Sequence, residues 1–448
     1  MKRAVESTVE STVESGTRRP LSTLAPARGP WNSAAAGHLA RRALFGCGPE
    51  RLQELLELGP KDAAATLVAD ARAVLVDPQL AAAEALGTRA AVEAHWMARI
   101  LAPDSTPVGR GRLAERIALL WHNHFATSVV KVEDSVLMLR QIDTLRRTGA
   151  GDARAMLRSM VQDGAMLVWL DGDGSRPPTP NENLARELME LFALGRGNYS
   201  ESDVKEAARA LTGWSVRGRH VEFAASRHDS GDKNILGARA PFDALALASH
   251  LSEQPHFARR VAHRLVRELL TDGGDEQAEA VLEQELHAQD FDVLGTVQAL
   301  FASELFYDLR WREAKVAGPV EYLARCSLAL GVFLPPFEVA QLAARAGQRL
   351  FAPPTVEGWR GGADWMHGSA LLVRREAAWA LAQRAASSPA LRPEGELNLS
   401  DVWIRLHPGA PAAVWLDKVA SMASTASRRE RDARRILELL DAPQTHLM

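Results

Sequence analysis

Apolar residues recur with a helical spacing along most of this chain, and this pattern constrains the fold more than any other feature. Alanine, leucine, arginine and glutamate are abundant, and runs of β-branched residues are few, as helices require. The periodic segments are 33–45, 50–58, 61–70, 89–102, 111–125, 133–147, 152–163, 180–194, 201–212, 243–252, 255–270, 275–288, 291–302, 312–331, 336–346, 369–386, 411–422 and 427–440. We therefore expect a mainly α, multi-helical globular protein.

Three stretches depart from this pattern. Residues 214–237 alternate around glycine-rich turns and predict one small β-hairpin or an ordered loop. Residues 347–368 are rich in Gly, Pro and Trp, and residues 171–180 form a third loop. Because functional residues tend to lie on loops held by a rigid scaffold, these loops are candidate sites.

The organisation along the chain follows from composition. Residues 1–30 are polar, contain Pro and Gly and carry a short tandem repeat, which indicates a disordered tail. Residues 31–390 form one continuous helical pattern, which we interpret as a single domain. Residues 395–443 are interpreted as a helical C-terminal extension.

Charge and composition exclude several classes. The net charge of -3 argues against nucleic-acid binding, and two distant cysteines cannot form a disulfide framework. No run of 18 apolar residues is present, so no membrane span is expected. The N-terminus lacks the apolar region of a secretory signal, which favours a cytoplasmic location.

The stretch 179–214 predicts two helices in tandem. Thr179 is placed as the N-cap of the first helix, with Pro180 at its first position and Glu182 completing a capping box. Ser200 and Asp203 are expected to open the second helix in the same way.

The first of these helices carries a polar stripe beside its core face. At helical spacing, Asn183, Glu187 and Glu190 share one side, with Arg186 at its edge. Two carboxylates three residues apart can converge on one divalent metal ion or share a proton, and the asparagine can orient them. The alternative is an internal salt-bridge network such as Arg186 with Glu190.

Trp-His-Asn-His-Phe at 121–125 suggests a metal site, but helix geometry weakens that interpretation. Residues two apart point about 200° apart on a helix, so His122 and His124 cannot grip one ion within it. His124 shares the apolar face and is the inward histidine. It is a candidate catalytic residue, and the alternative is a core histidine that binds a carbonyl or carboxylate at the helix end.

His228, Asp229 and Lys233 bring an imidazole, a carboxylate and an ammonium together within six residues of a loop. This set suits anion binding or acid–base chemistry, with His228 as the first choice for proton transfer. Stabilisation of the loop by Asp229, which would accept from turn amides, explains the pattern equally well.

Trp359 lies among glycines in the second loop. A tryptophan platform could stack a ligand, which makes it a candidate binding residue. The alternative is a loop that tryptophans pin to the core.

These segments resemble the signature of a bacterial family known as domain of unknown function 1800. The matching segments run from about Ala34 to about Ala380: 121–125, the stretch 179–214, His228-Asp229 with Lys233 and Gly237, Lys315 with Pro319-Val-Glu321, and 350–359 with Gly361, Gly362 and Trp365. The resemblance implies no known activity. It does imply that many relatives are exported and that they often accompany a second, hydrolase-like family.

Two functional hypotheses remain. One is an enzyme with an acid–base or metal-assisted site, of hydrolytic type, where the signature helix, the end of the His124 helix and the His228 loop meet. In it, His228 transfers protons, Glu187 and Glu190 act electrostatically or hold a metal, and Arg186 and Lys233 hold an anionic group. The other is a non-catalytic helical adaptor that binds a protein partner and whose polar cluster is structural.

Overall fold

A computed structural model describes residues 24–392, 396–421 and 427–448 of the chain. Within these ranges the molecule is mainly helical, with two small antiparallel sheets, and the predicted mainly α fold is confirmed. The α-helices of the described residues begin with α1 (Ser33–Leu44), α2 (Pro49–Ala73), α3 (Leu80–Leu86), α4 (Arg89–Ile100), α5 (Pro107–Arg110), α6 (Leu113–His124), α7 (Val129–Val132), α8 (Ser135–Gly149), α9 (Ala153–Met160), α10 (Gly164–Trp169) and α11 (Asn183–Glu187). They continue as α12 (Glu201–Ala210), α13 (Ala244–Ser252), α14 (Pro255–Leu269), α15 (Glu276–Ala288), α16 (Val293–Phe301), α17 (Pro319–Leu330), α18 (Pro336–Arg345), α19 (Gly368–Ala385), α20 (Leu399–Leu406), α21 (Ala413–Ala420) and α22 (Arg428–Leu440).

The β structure lies where the sequence predicted it. Strands β1 (Trp214–Arg217) and β2 (His220–Phe223) form one antiparallel hairpin, with Trp214 opposite Phe223. A second hairpin joins β3 (Lys233–Ile235) to β4 (Ala238–Ala240), so the β region holds two short hairpins and extends slightly beyond 237.

The signature stretch differs from its prediction at its first helix. Helix α11 begins at Asn183, and Asn181 supplies the side-chain acceptor for the Asn183 amide at 2.8 Å. The predicted N-cap role of Thr179 is therefore wrong, because Thr179 and Pro180 belong to the preceding loop. The second helix, α12, has the predicted capping box of Ser200 with Asp203.

A π-helical segment, Leu188–Ala193, continues α11. Its Leu194 amide bonds the Met189 carbonyl at 2.9 Å, five residues back instead of four. The carbonyls of Leu191 and Phe192 lie in its last turn and take partners from other elements.

The C-terminal helices lie against the main body. Helix α22 packs along α19, and α20 packs on α17. The Arg325 guanidinium of α17 donates to the carbonyls of Leu406 and Thr445, each at 3.2 Å. The predicted boundary between 390 and 395 stays a prediction.

The N-terminal prediction falls largely outside the described residues, which begin at 24. Within them, the Ala27 amide donates to the Ala302 carbonyl at 2.9 Å. The described helices include none with the length and hydropathy needed to cross a bilayer.

Candidate functional site

A groove of about 400 Å³ opens between α6, the π-helical segment, α14 and the loop that carries Trp359. We call it the arginine groove, after the residues that line it: Asn123, His124, Glu190, Leu191, Arg196, Arg260, His263, Arg264, Arg267, Val356, Glu357, Trp359 and Arg360. Arg196 and Glu357, with side chains 74% and 56% exposed, form its rim, so the groove reaches solvent.

Two backbone carbonyls at the end of the π-helical segment contact side chains on the inner wall of the groove. His124 Nε2 lies 3.2 Å from the Phe192 carbonyl, and Arg260 Nε donates to the Leu191 carbonyl at 2.7 Å. Both carbonyls lie in the last turn of the segment, where carbonyl groups have no amide partner within the helix. The histidine and the arginine therefore meet at this helix end.

The protonation state of His124 follows from this bond. A carbonyl oxygen can only accept, so Nε2 carries the proton and Nδ1 is the unprotonated nitrogen. Burial, with the charges of Arg264 and Arg260, holds the pKa of His124 well below its usual range. His124 is neutral near pH 7, and Nδ1 has no hydrogen-bond partner among the described residues and is not sealed from solvent.

Glu190 faces the same groove. Its carboxylate accepts from Arg196 Nε at 2.5 Å and from the Tyr199 hydroxyl at 2.8 Å, and these hydrogen bonds lower its pKa. Glu187 lies one turn earlier and makes no hydrogen bond or ion pair within the described part of the chain. Burial and the neighbouring charges of Glu190 and Glu357 raise the Glu187 pKa.

Trp359 closes the groove from the second loop and is only 6% exposed. Its amide donates to Asn123 Oδ1 at 2.7 Å, and its ring meets the His122 ring edge-on at 5.5 Å. The loop is thus pinned to the end of α6 while the tryptophan still lines the groove.

A smaller recess of about 40 Å³ adjoins the arginine groove. The two share Asn123, Arg264, Arg267, Trp359 and Arg360, and the recess adds Lys315, Glu321 and Trp365. Residues from 121–125, 186–195, 315–321 and 350–365 therefore meet at one place, although they lie far apart in sequence.

The other predicted site residues lie elsewhere. His228 Nδ1 is 3.1 Å from the Thr212 carbonyl, and Asp229 accepts two hydrogen bonds from Arg209, at 2.7 and 3.1 Å. Lys233 is buried, and its ammonium donates to the carbonyls of Asp229 and Gly231. Of these, Asp229 lines a second cavity of about 420 Å³ beside the loop 177–180.

Arg186 and Asn183 also take local partners. Arg186 forms a two-pronged ion pair with Glu201, at 2.6 and 2.8 Å, and Asn183 Nδ2 donates to Asp171 at 3.1 Å. The predicted junction is therefore divided: His124 and Glu190 share the arginine groove with Trp359, and the His228 loop does not line it. The roles assigned to His228, Asn183, Arg186, Asp229 and Lys233 stay predictions.

The sequence patterns did not identify the arginines of α14 as site residues. Arg259 points outward, but Arg260, Arg264 and Arg267 lie within about 60° of each other around the helix axis and face the groove. Their spacing of four and three residues, beside the apolar face of α14, could have indicated from the sequence that they share one side of the helix.

The described ranges contain no group of three His, Cys, Asp or Glu side chains that could hold a metal ion. A metal role for Glu187 and Glu190 stays a prediction.

Comparison with known proteins shows the family. The model of the family described as protein of unknown function (DUF1800) matches residues 38–446, and the chain belongs to this family. The search of curated proteins found no match, and neither did the search of solved structures.

Proposed function

We propose that this protein is an enzyme that hydrolyses its substrate by acid–base catalysis in the arginine groove. One observation carries the proposal: a neutral histidine with an unbonded ring nitrogen lines a solvent-reaching groove beside carboxylates and guanidinium groups. A structural network would be sealed and fully paired, whereas this groove is open.

In the proposed step, His124 Nδ1 accepts a proton from water while the water oxygen bonds to the electrophilic centre. The bond from that centre to the leaving group then breaks, and the protonated His124 gives this proton to the leaving group, which restores the neutral imidazole. Glu187 does not line the groove, so its catalytic role stays a prediction.

The test is release of p-nitrophenol from p-nitrophenyl acetate, phosphate and sulfate by the full chain. We expect His124→Asn to lower the release rate by about 10²–10⁴-fold, the usual contribution of a positioned general base. His256→Asn is the matched control, because His256 is exposed on α14 outside the groove and should leave the rate unchanged. Either wild-type release no faster than buffer or full activity of His124→Asn would contradict the proposal.

A non-catalytic adaptor is the second candidate, and the ion pair that engages Arg186 with Glu201 favours it for that part of the signature helix. This candidate gains if the wild type releases p-nitrophenol no faster than buffer and Arg186→Gln lowers the free energy of unfolding. Only this second candidate function requires a protein partner.

A further inference from the structure

Arg264 is a buried cation without an acceptor. It is only 9% exposed, yet its guanidinium has no hydrogen bond and no ion pair among the described residues, and Nε is sealed from solvent. The arginine lines both the arginine groove and the adjoining recess. Because an unpaired buried charge is costly, a folded protein keeps one only when something else compensates it.

The neighbouring Arg260 and Arg267 also lack an ion-pair partner among the described side chains. Arg260 donates to the Leu191 carbonyl, and Arg267 donates to the carbonyls of Asp272 and Arg360, at 3.1 and 3.2 Å. These acceptors are neutral backbone groups, and none of the three arginines has a carboxylate within ion-pair distance in the described part of the chain. Burial and the charges of Arg267 and Arg260 lower the Arg264 pKa to about 10, which still leaves it charged at neutral pH.

The nearby carboxylates are engaged elsewhere. Glu190 and Glu357 both pair with Arg196 at the rim, at 2.5 and 3.2 Å. In the recess, Glu268 and Glu321 pair with Arg116, and Asp272 pairs with Lys315 at 3.1 Å. The inner wall of the groove therefore keeps a surplus of positive charge that the described side chains do not neutralise.

We propose that Arg260, Arg264 and Arg267 bind a tetrahedral oxyanion, the phosphate or sulfate group of an ester, with Arg264 at its centre. This inference rests on the proposed function, because it names the substrate class of the same groove. Several guanidinium donors suit a group with three free oxygens better than a carboxylate with two. The bound anion would also offset the arginine charges beside His124 and so strengthen it as a base.

The binding test is calorimetric titration of the full chain with inorganic phosphate, sulfate and acetate at one ionic strength. We expect phosphate and sulfate to bind more tightly than acetate, and Arg264→Gln to weaken phosphate binding by at least about tenfold, the loss expected for one hydrogen bond to a charged group. Arg259→Gln is the matched control from the outer face of α14 and should bind as the wild type does. Equal binding of acetate, or wild-type affinity in Arg264→Gln, would overturn the inference.

Thermal melting without oxyanions gives an independent result. Arg264→Met keeps the unbranched stem and removes an unpaired charge, so it should melt at or above the wild-type temperature. A clearly lower melting temperature would show that Arg264 has a structural role, and the inference would fall.

The two proposals fail separately. His124→Asn should retain phosphate binding. If phosphate does not bind but His124→Asn abolishes hydrolysis, only the oxyanion inference fails. If phosphate binds and His124→Asn keeps full hydrolysis, only the proposed function fails.

Discussion

Glu115 is a fully buried carboxylate that two arginines share. Arg99 Nε donates to it at 2.7 Å and Arg146 Nε at 2.9 Å, and the Trp96 indole adds a bond of 3.0 Å. Burial alone would raise the pKa of Glu115, but the charges of Arg146 and Arg99 outweigh it and lower the pKa. The stabilisation from this carboxylate is therefore present above its unfolded pKa and is lost as the pH falls.

Glu115→Gln should lower the free energy of unfolding by about 3–5 kcal/mol, because it leaves two buried guanidinium groups facing a neutral amide. Urea denaturation at neutral pH measures the change. Glu430→Gln is the control, since Glu430 pairs with Arg434 on the exposed side of α22 and its loss should be undetectable. If the Glu115→Gln variant were as stable as the control, Glu115 would not stabilise the fold in this way.

The sequence identified individual polar residues of the site, but it did not show which of them lie close together. His124 and Glu190 were both predicted as site residues, and they share the groove where the end of α6 packs against the π-helical segment and His124 bonds the Phe192 carbonyl. Arg264 looked like any other charged helix residue, because the absence of an acceptor is a property of the fold around it.

The loop 350–362 depends on one close approach between two elements. Gly358 has φ of 85°, and a Cβ on it would lie 2.2 Å from Asn123 Oδ1 and 2.4 Å from the Asn123 carbonyl oxygen. Both the backbone conformation and the contact with the end of α6 thus require glycine.

Gly358→Ala should destabilise the protein by at least about 2 kcal/mol, the combined cost of left-handed strain and a steric clash. Because the loop forms one wall of the arginine groove, the variant should also bind phosphate more weakly. Gly368→Ala is the control: a Cβ there meets nothing within 4 Å, and alanine at the first turn of α19 should be neutral or slightly stabilising. Urea denaturation of both variants tests this, and equal stabilities would contradict it.

Helix positions were largely predictable, but the interior of the signature helix was not. Residues 180–194 have the apolar spacing of a continuous α-helix, whereas the structure begins the helix at Asn183 and widens it from Leu188. The end of this segment bonds to side chains of α6 and α14, and no local pattern contains such contacts.

The molecule as a whole buries several neutral histidines. Burial lowers the pKa of His122 to about 3, of His407 to about 3 and of His446 to about 4, and holds the pKa of His38 and His124 well below the usual range. At a pH between these lowered pKa values and the ordinary histidine pKa of about 6.5, these histidines are protonated in the unfolded chain and neutral in the folded chain. Stability therefore falls as the pH drops below about 6.5.

His122→Leu should remove part of this pH dependence. With a folded pKa of about 3, His122 alone accounts for about 1.4 kcal/mol of the stability lost between about pH 7.5 and about pH 5.5. Urea denaturation at the two pH values measures the loss, and His256→Gln is the exposed control. If His122→Leu loses as much stability as the wild type, the buried, neutral state of His122 is disproved.

The amino-acid sequence by itself determined the helical class, most helix positions, the place of the β hairpins and the family, because periodicity, capping and short motifs are local properties. Only the tertiary structure decided which polar residues meet. Side chains from 123, 190, 264 and 359 line one groove because four separate elements pack together there, while His228, close to the signature helices in sequence, takes partners of its own. The distances between these side chains depend on packing contacts between residues far apart in sequence, and local sequence spacing does not predict such contacts.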